Sequence, residues 1–324
     1  MQRICLMLAA AGFVCASMDA GAQVYPSRPI TMIAPFPAGG PLDTLARILA
    51  ERMRVSLGQP VIIENVTGAS GSIGTGRVAR AAGDGYTLGL GNWPTHVING
   101  AVFKLQYDVR NDFEPVSLLA INPMVIVAKK AMPANDLKEL IVWLKANPGK
   151  AAQGTSGAGA ATHIAGVFFQ EETGTRIQFV PYRGAGPAMQ DLLAGQIDLM
   201  IDPAANSLPQ VRAGTIKAYA VAAKSRLATA PEIPTVDEAG LPGFYVSTWL
   251  AFFVPKGTPK NIIAKLNAAV VEALADPAVR LRLAGLGLEI PQREQQTPEA
   301  LATFHKAEIE KWWPIIKAAG INVE

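Results

Sequence analysis

The chain has 324 residues, 50% of them apolar, and a formal net charge of +3. At roughly 100–200 residues per domain, that is enough for about two domains with cores of their own. The small positive excess forms no Lys/Arg stripe, and clustered basic residues are what drive nucleic-acid binding, so that class is set aside.

The first residues carry an export pattern. Arg3 precedes an apolar run from Ile4 to Val14, and small residues follow, ending Ala20-Gly21-Ala22. A charged start, an apolar stretch of about 7–15 residues and an A-x-A site describe a secretory signal peptide over residues 1–22. The run is too short for a bilayer, which needs about 20 residues. Cleavage after Ala22 leaves Gln23 first, in the periplasm and not embedded in a membrane. Gly12-Phe13-Val14-Cys15 is a poor lipidation site. Both cysteines, Cys5 and Cys15, fall inside the signal. The mature chain is therefore expected to hold no disulfide and no cysteine-based metal site, which a chain of this size can do without.

Beyond the signal, a strand followed by a Gly-rich turn and a helix recurs. Ile30–Ala34 reads as a buried strand and leads into Pro35-Phe36-Pro37-Ala38-Gly39-Gly40-Pro41; Leu42, Leu45, Ile48, Leu49 and Met53 then repeat at helical spacing. Val61–Ile63 leads into Gly68–Gly74, and Thr87–Leu90 into Gly91-Asn92-Trp93-Pro94-Thr95-His96. Met124–Ala128 is a further strand, and Leu137, Leu140, Ile141 and Leu144 mark a helix ending near Asn147. Ala151–Gln153 enters Gly154-Thr155-Ser156-Gly157-Ala158-Gly159, ahead of a helix with Ile164, Val167 and Phe168 on one face. Gln178–Val180 leads to Tyr182-Arg183-Gly184, and Pro187 opens a short helix closed by Gly195. Ile197–Ile201 and Ala218–Ala222 are strands; Ala264–Leu274, Ala278–Leu283 and Glu299–Ile316 are helices. Such alternation implies mainly parallel sheets with helices on both faces, and ligands bind outside the carboxyl ends of such strands.

The turns at those ends suit an anion. A helix start offers backbone N–H groups without intrahelical partners, the peptide dipoles favour negative charge there, and glycine lets the backbone approach a ligand closely. Gly39-Gly40-Pro41 is one such cradle and Gly157-Ala158-Gly159 a second, and two cradles can hold one carboxylate-bearing molecule between them. Asp43 reads either as a first-turn carboxylate binding loop N–H groups or as a contact to a ligand amine or hydroxyl. Arg183 pairs with a ligand carboxylate or with a carboxylate of the chain itself. Asp202, at a strand end, is a candidate for the cleft. His163 either lines the second cradle or is structural. Asn92 and Thr95 are candidate contacts in the third loop, with His96 a lesser one. His305 reads as a helix-surface residue, and Trp312 and Trp313 as packing residues.

Catalytic and nucleotide patterns are missing. No turn matches G-x-x-x-x-G-K-[ST] or pairs G-x-G-x-x-G with a following acid, and the three histidines make no metal-ligand spacing. Neither Ser70 nor Ser156 completes G-x-S-x-G, since Ser72 and Ala158 take the last position. No cofactor is implied.

The ordered set of segments resembles the Bug family of extracytoplasmic solute receptors, associated with tripartite tricarboxylate transporters. It runs from Tyr25-Pro26-Ser27-Arg28-Pro29-Ile30 through Pro35–Asp43, Glu64-Asn65 and Gly68–Gly71. Tyr107-Asp108, Asp112–Val116, Gly157–Gly159 with His163, and Pro181–Gly184 with Pro187-Ala188 continue it. Ile233–Val236, Glu238–Gly240 and Pro255–Pro259 complete it. The resemblance implies an α/β, two-lobed periplasmic-binding-protein fold of type II, a Venus flytrap. Residues 23–124 and 253–324 would form a discontinuous first lobe and residues 125–252 the second. It further implies a non-enzymatic receptor holding a small carboxylate at Phe36–Gly40 and Thr155–Gly159, with inner-membrane permease subunits as partners. The ligand class spans di- and tricarboxylates, acidic amino acids and aromatic acids. A secreted carboxylate-acting enzyme and a ligand sensor for a membrane signalling partner are the alternatives. Trp93 stands where the family often has a small residue, and would change the pocket if it faced the cleft.

Overall fold

The computed structural model describes residues 25–39 and 41–321; the expected signal peptide and Gly40 lie outside them. The first elements are β1 (Ile30–Ala34), α1 (Pro41–Leu57), β2 (Val61–Asn65), α2 (Ser72–Ala79), β3 (Thr87–Asn92) and α3 (Asn99–Val102). A 17-residue strand, β4 (Phe113–Lys129), precedes α4 (Leu137–Ala146), β5 (Ala152–Thr155), α5 (Ala161–Thr173) and β6 (Gln178–Pro181). Next come α6 (Ala185–Leu193), β7 (Leu199–Pro203), α7 (Ala204–Arg212), β8 (Ile216–Val221) and β9 (Ser247–Pro255). Helices α8 (Lys260–Ala275), α9 (Pro277–Gly285) and α10 (Pro298–Ala318) end the chain.

Local sequence explains these elements. In α1, Leu45, Ile48, Leu49 and Met53 fall on one stripe and pack with Ile30 and Met32 of β1. Asp136 caps α4 by accepting the Glu139 N–H at 2.8 Å. Helix α6 starts two residues before Pro187, with Gly184 at φ 126° as its cap. Proline is tolerated there because first-turn N–H groups lack intrahelical acceptors.

The strands run in the order β2-β1-β3-β9-β4-β7-β5-β6, with β8 also on β4. Strand β1 is parallel to β2 and β3, and β5 is parallel to β6 and β7, as the alternation implied. The centre departs from that expectation: β3–β9, β9–β4, β4–β7 and β4–β8 are antiparallel. The reason lies in the connections. Strands β4 and β9 are joined by everything between them rather than by one crossover helix, so the parallel βαβ rule does not fix their direction.

Strand β4 belongs to two sheets. Its residues from Phe113 to Pro123 pair with β9, and those from Met124 to Lys129 pair with β7 and β8. The returning chain meets it at the same level: the Met124 N–H donates to the Val246 carbonyl, and Ser247 pairs with Pro123. One core fills the space between the first sheet and α1, α8 and α9; another lies under α6 and α7; a third joins the remaining faces with α4, α5 and α10. Among the described residues no helix is long and apolar enough to cross a membrane.

Candidate functional site

Parallel strands β1 and β5 deliver the two Gly-rich loops, each opening a helix. After β1, Pro37, Ala38 and Gly39 are exposed and Phe36 is half-buried. Gly39 sits at φ 82°, and its N–H donates to Asp43 Oδ2 at 2.8 Å. Asp43 also accepts from Arg47 Nε at 2.9 Å, Arg47 Nη2 at 3.0 Å and Asn65 Nδ2 at 3.0 Å. Asn65 in turn donates to the Phe36 carbonyl at 3.0 Å, so Asp43 ties the first loop to the end of β2. The Arg47 hydrogen bonds, with those from Gly39 and Asn65, hold the Asp43 carboxyl down at about 2. Both of its oxygens are engaged within the protein, which is the structural one of its two readings.

The second loop repeats this device. Gly157 (φ 135°) and Gly159 (φ 71°) take left-handed conformations, and the Gly159 N–H donates to His163 Nδ1 at 3.0 Å. In both loops the glycine N–H is thus bound by a side chain four residues on, in the first turn of the helix. The Gly39 and Gly159 hydrogens are therefore taken within the protein. The free donors are their neighbours: the N–H groups of Ala38, Gly157 and Ala158 meet no acceptor among the described residues.

Accepting at Nδ1 fixes His163 as the tautomer with hydrogen on Nε2. Burial lowers its pKa, the ring stands edge-on to Phe179 at 4.7 Å, and Nε2–H has no partner among the described residues. Ser156 is tied down: its N–H donates to Thr162 Oγ1 at 2.7 Å and its hydroxyl lies 2.9 Å from the same atom. Thr155 is buried, with its hydroxyl 3.4 Å from the Gly157 carbonyl.

Arg183 follows β6, beside this loop. The Tyr182 N–H donates to the Thr155 carbonyl at 3.0 Å, which brings the β6–α6 turn against the end of β5. The Arg183 side chain is exposed and forms no ion pair among the described residues. Its intramolecular alternative therefore has no carboxylate in the structure.

The third loop is closed on itself. Thr95 is buried, its N–H donates to Asn92 Oδ1 at 2.9 Å, and the Asn92 N–H donates to Thr95 Oγ1 at 3.1 Å. His96 stacks on Phe253 at 4.1 Å, and its burial pushes its pKa well below the usual imidazole range. Trp93 is buried too, and meets Trp312 edge-on at 4.8 Å rather than facing a cleft. His305 is no surface residue. It is 9% exposed and its Nε2 lies 2.7 Å from the His96 carbonyl, because it falls on the buried stripe Leu301, His305, Ile309, Trp312, Ile316.

Asp202 shares a face of β7 with Met200, beneath α6 and α7. It is fully buried; Oδ2 accepts from Asn206 at 2.7 Å and Ser207 at 2.8 Å, and Oδ1 has no partner among the described residues. Desolvation pushes its pKa up to about 6 despite those two hydrogen bonds.

One feature escaped the sequence reading. Gly68, Ala69, Ser70 and Gly71 all have positive φ, a left-handed turn between the first and third loops. Such a conformation is costly for Ala69 and Ser70. Asn99 steadies it by donating to the Ser70 carbonyl at 3.0 Å. Gly71 has no room for a side chain, since a Cβ would stand 2.7 Å from the Thr95 methyl. The pair of glycines bracketing Ala69-Ser70 was the available signal.

Comparison with known proteins adds relatives along most of the chain. The model of the tripartite tricarboxylate transporter family receptor matches residues 45–321. The UPF0065 protein of the TAR-I ttuE-ttuC' intergenic region of Agrobacterium vitis is 42% identical over 91% of this chain and 86% of its own. Protein BugT of Bordetella pertussis is 37% identical, covering 94% of this chain and 93% of its own. Among solved structures, MatC of Rhodopseudomonas palustris with bound malate is 41% identical, with a TM-score of 0.76 over 90% of this chain and all of that one. A second R. palustris protein, solved with adipate, has a TM-score of 0.78 at 33% identity over 92% of this chain and all of that one.

Proposed function

We propose, from the premise that this chain belongs to the tripartite tricarboxylate transporter receptor family, that it captures a small dicarboxylate between two lobes in the periplasm and hands it to membrane permease subunits. That family consists of periplasmic solute-binding receptors, not enzymes. The lobes in this reading are the two sheets with their helices, exchanging the chain between Pro123 and Met124 and again near Val246.

The observation that carries the reading is the pair of loops whose donors have no partner among the described residues. Gly157 and Ala158 N–H groups stand before the start of α5, where the helix dipole favours an anion. The neutral His163 offers Nε2–H nearby, and Ala38 offers its N–H from the other lobe. Arg183, which forms no ion pair among the described residues, supplies positive charge at the edge of the second loop, which suits a second carboxylate. The malate and adipate held by the two R. palustris relatives are of this class.

Calorimetric titration with malate, adipate and their diamides tests it. Each charge-assisted hydrogen bond lost is worth roughly 1.5–3 kcal/mol, so at least one acid should bind about tenfold or more tighter than its amide. Amides that bind as tightly as the acids would overturn the carboxylate reading. For export, N-terminal sequencing of protein from its host should find a start at or near Gln23; an intact Met1 on cytoplasmic protein would refute it.

A further inference from the structure

Helix α10 touches both sheets within little more than one turn. On the first sheet, Glu308 accepts the Trp249 Nε1–H at 3.1 Å, and Trp312 meets Trp93 edge-on at 4.8 Å. On the second, the same Trp312 meets Phe168 of α5 edge-on at 5.3 Å, and Phe168 stacks on Phe244 at 5.1 Å. Lys311 lies between them. Its ammonium donates to the Tyr245 carbonyl at 2.7 Å and stands 5.0 Å from the Phe168 ring centre and 4.6 Å from that of Trp312.

These contacts reach the third loop on the first sheet and the second Gly-rich loop on the other by short paths. Trp93 is next in sequence to Asn92 in the third loop, and Phe168 sits on the helix that follows Gly157–Gly159. Tyr245 lies on the returning link, two residues before β9. One side chain, Trp312, is therefore wedged between the loop-bearing parts of both sheets.

Lys311 is a costly choice for such a place. Burial lowers its pKa and raises that of Glu308, so for each group desolvation outweighs the attraction of the other. An apolar side chain of similar volume is commonly as stabilising as a buried charge. What a methionine cannot do is bind one carbonyl at one angle.

We infer that Lys311 and Trp312 are positioning residues: they clamp α10 to Tyr245 and α5 and so set the angle between the two sheets, and the separation of the ligand loops, before solute arrives. The clamp presupposes two lobes that move, but not that the solute is a carboxylate. A test without ligand therefore separates its failure from that of the proposed function.

Spin labels on Val55→Cys of α1 and Val142→Cys of α4, both exposed, in a chain with Cys5 and Cys15 changed to alanine, report the distance between the sheets. In ligand-free protein, Lys311→Met should shift and broaden the distance distribution measured by double electron–electron resonance, and Lys311→Arg should return it toward the parent. Lys217→Met is the control. That lysine donates to the Met132 and Ala134 carbonyls inside the second sheet's own unit, so its loss should lower the melting temperature without moving the distribution. Phe168→Leu attacks the clamp from the opposite side and replaces Lys311→Met if that variant does not fold. A Lys311→Met or Phe168→Leu distribution superimposable on the parent's, or an equal shift in Lys217→Met, would overturn the clamp.

Discussion

Asp43→Asn isolates the charge that fastens the first loop. The substitution keeps an oxygen able to accept the Gly39 N–H, but loses the ionic attraction to Arg47, whose Nε and Nη2 bind the carboxylate at 2.9 and 3.0 Å. The Asp43 pKa falls from the ordinary 3.8 to about 2, and at 1.36 kcal/mol per pKa unit this sets an upper limit of about 2.5 kcal/mol. Arg47 is half-exposed, and solvent screening brings the expected loss at pH 7 to about 1–2 kcal/mol. The sign follows from linkage. A folded pKa below the unfolded one contributes stability that is complete above pH ~4 and is lost as the pH falls through ~2. Urea unfolding of parent and variant at pH 7 and pH 3 reads both features, and the gap at pH 3 should be about half that at pH 7. A variant as stable as the parent at pH 7, or a gap that does not change with pH, would refute the argument.

Asp202 should behave in the opposite sense. Its folded pKa, raised to about 6, means that its cost is absent below pH ~4 and grows as the pH rises through ~6. Asp202→Asn should therefore gain on the parent in melting temperature between pH 4 and pH 7.5; a difference independent of pH would contradict burial as the cause. His305→Ala leaves the His96 carbonyl buried without its 2.7 Å partner, so it should cost about 1–3 kcal/mol. An unchanged melting temperature would return His305 to the surface.

The strand-turn-helix units were legible because their signals are local. Gly-rich turns mark strand ends, and the stripe Leu45, Ile48, Leu49, Met53 marks a helix by period alone. Strand β9 left no such trace: Trp249–Val254 is a continuous apolar run, the pattern of a strand buried on both faces. The first half of β4 was hidden by Pro115 and Pro123, which argue against a central strand in sequence yet sit here within the ladder to β9. Sequence marked both Gly-rich turns but not which of their backbone hydrogens are left without an acceptor among the described residues. That depends on Asp43 and His163 folding back by one helical turn to take the hydrogens of Gly39 and Gly159. Asp202 was visible as an acid at a strand end; its burial follows from Asn206 and Ser207 closing over it in three dimensions.

The pairing of β4 with β9 also orders events in time. Phe113 lies opposite Pro255 and Pro123 opposite Ser247, so the first sheet stays open on that side until most of the polypeptide exists. Everything the second sheet needs lies between those partners, so it can assemble while the first still lacks its closing strand. Contacts between residues so distant in sequence form slowly, because loop closure is paid before pairing rewards it. A chain emerging from its N-terminus would thus hold β1, β2 and β3 without β9 for much of its synthesis.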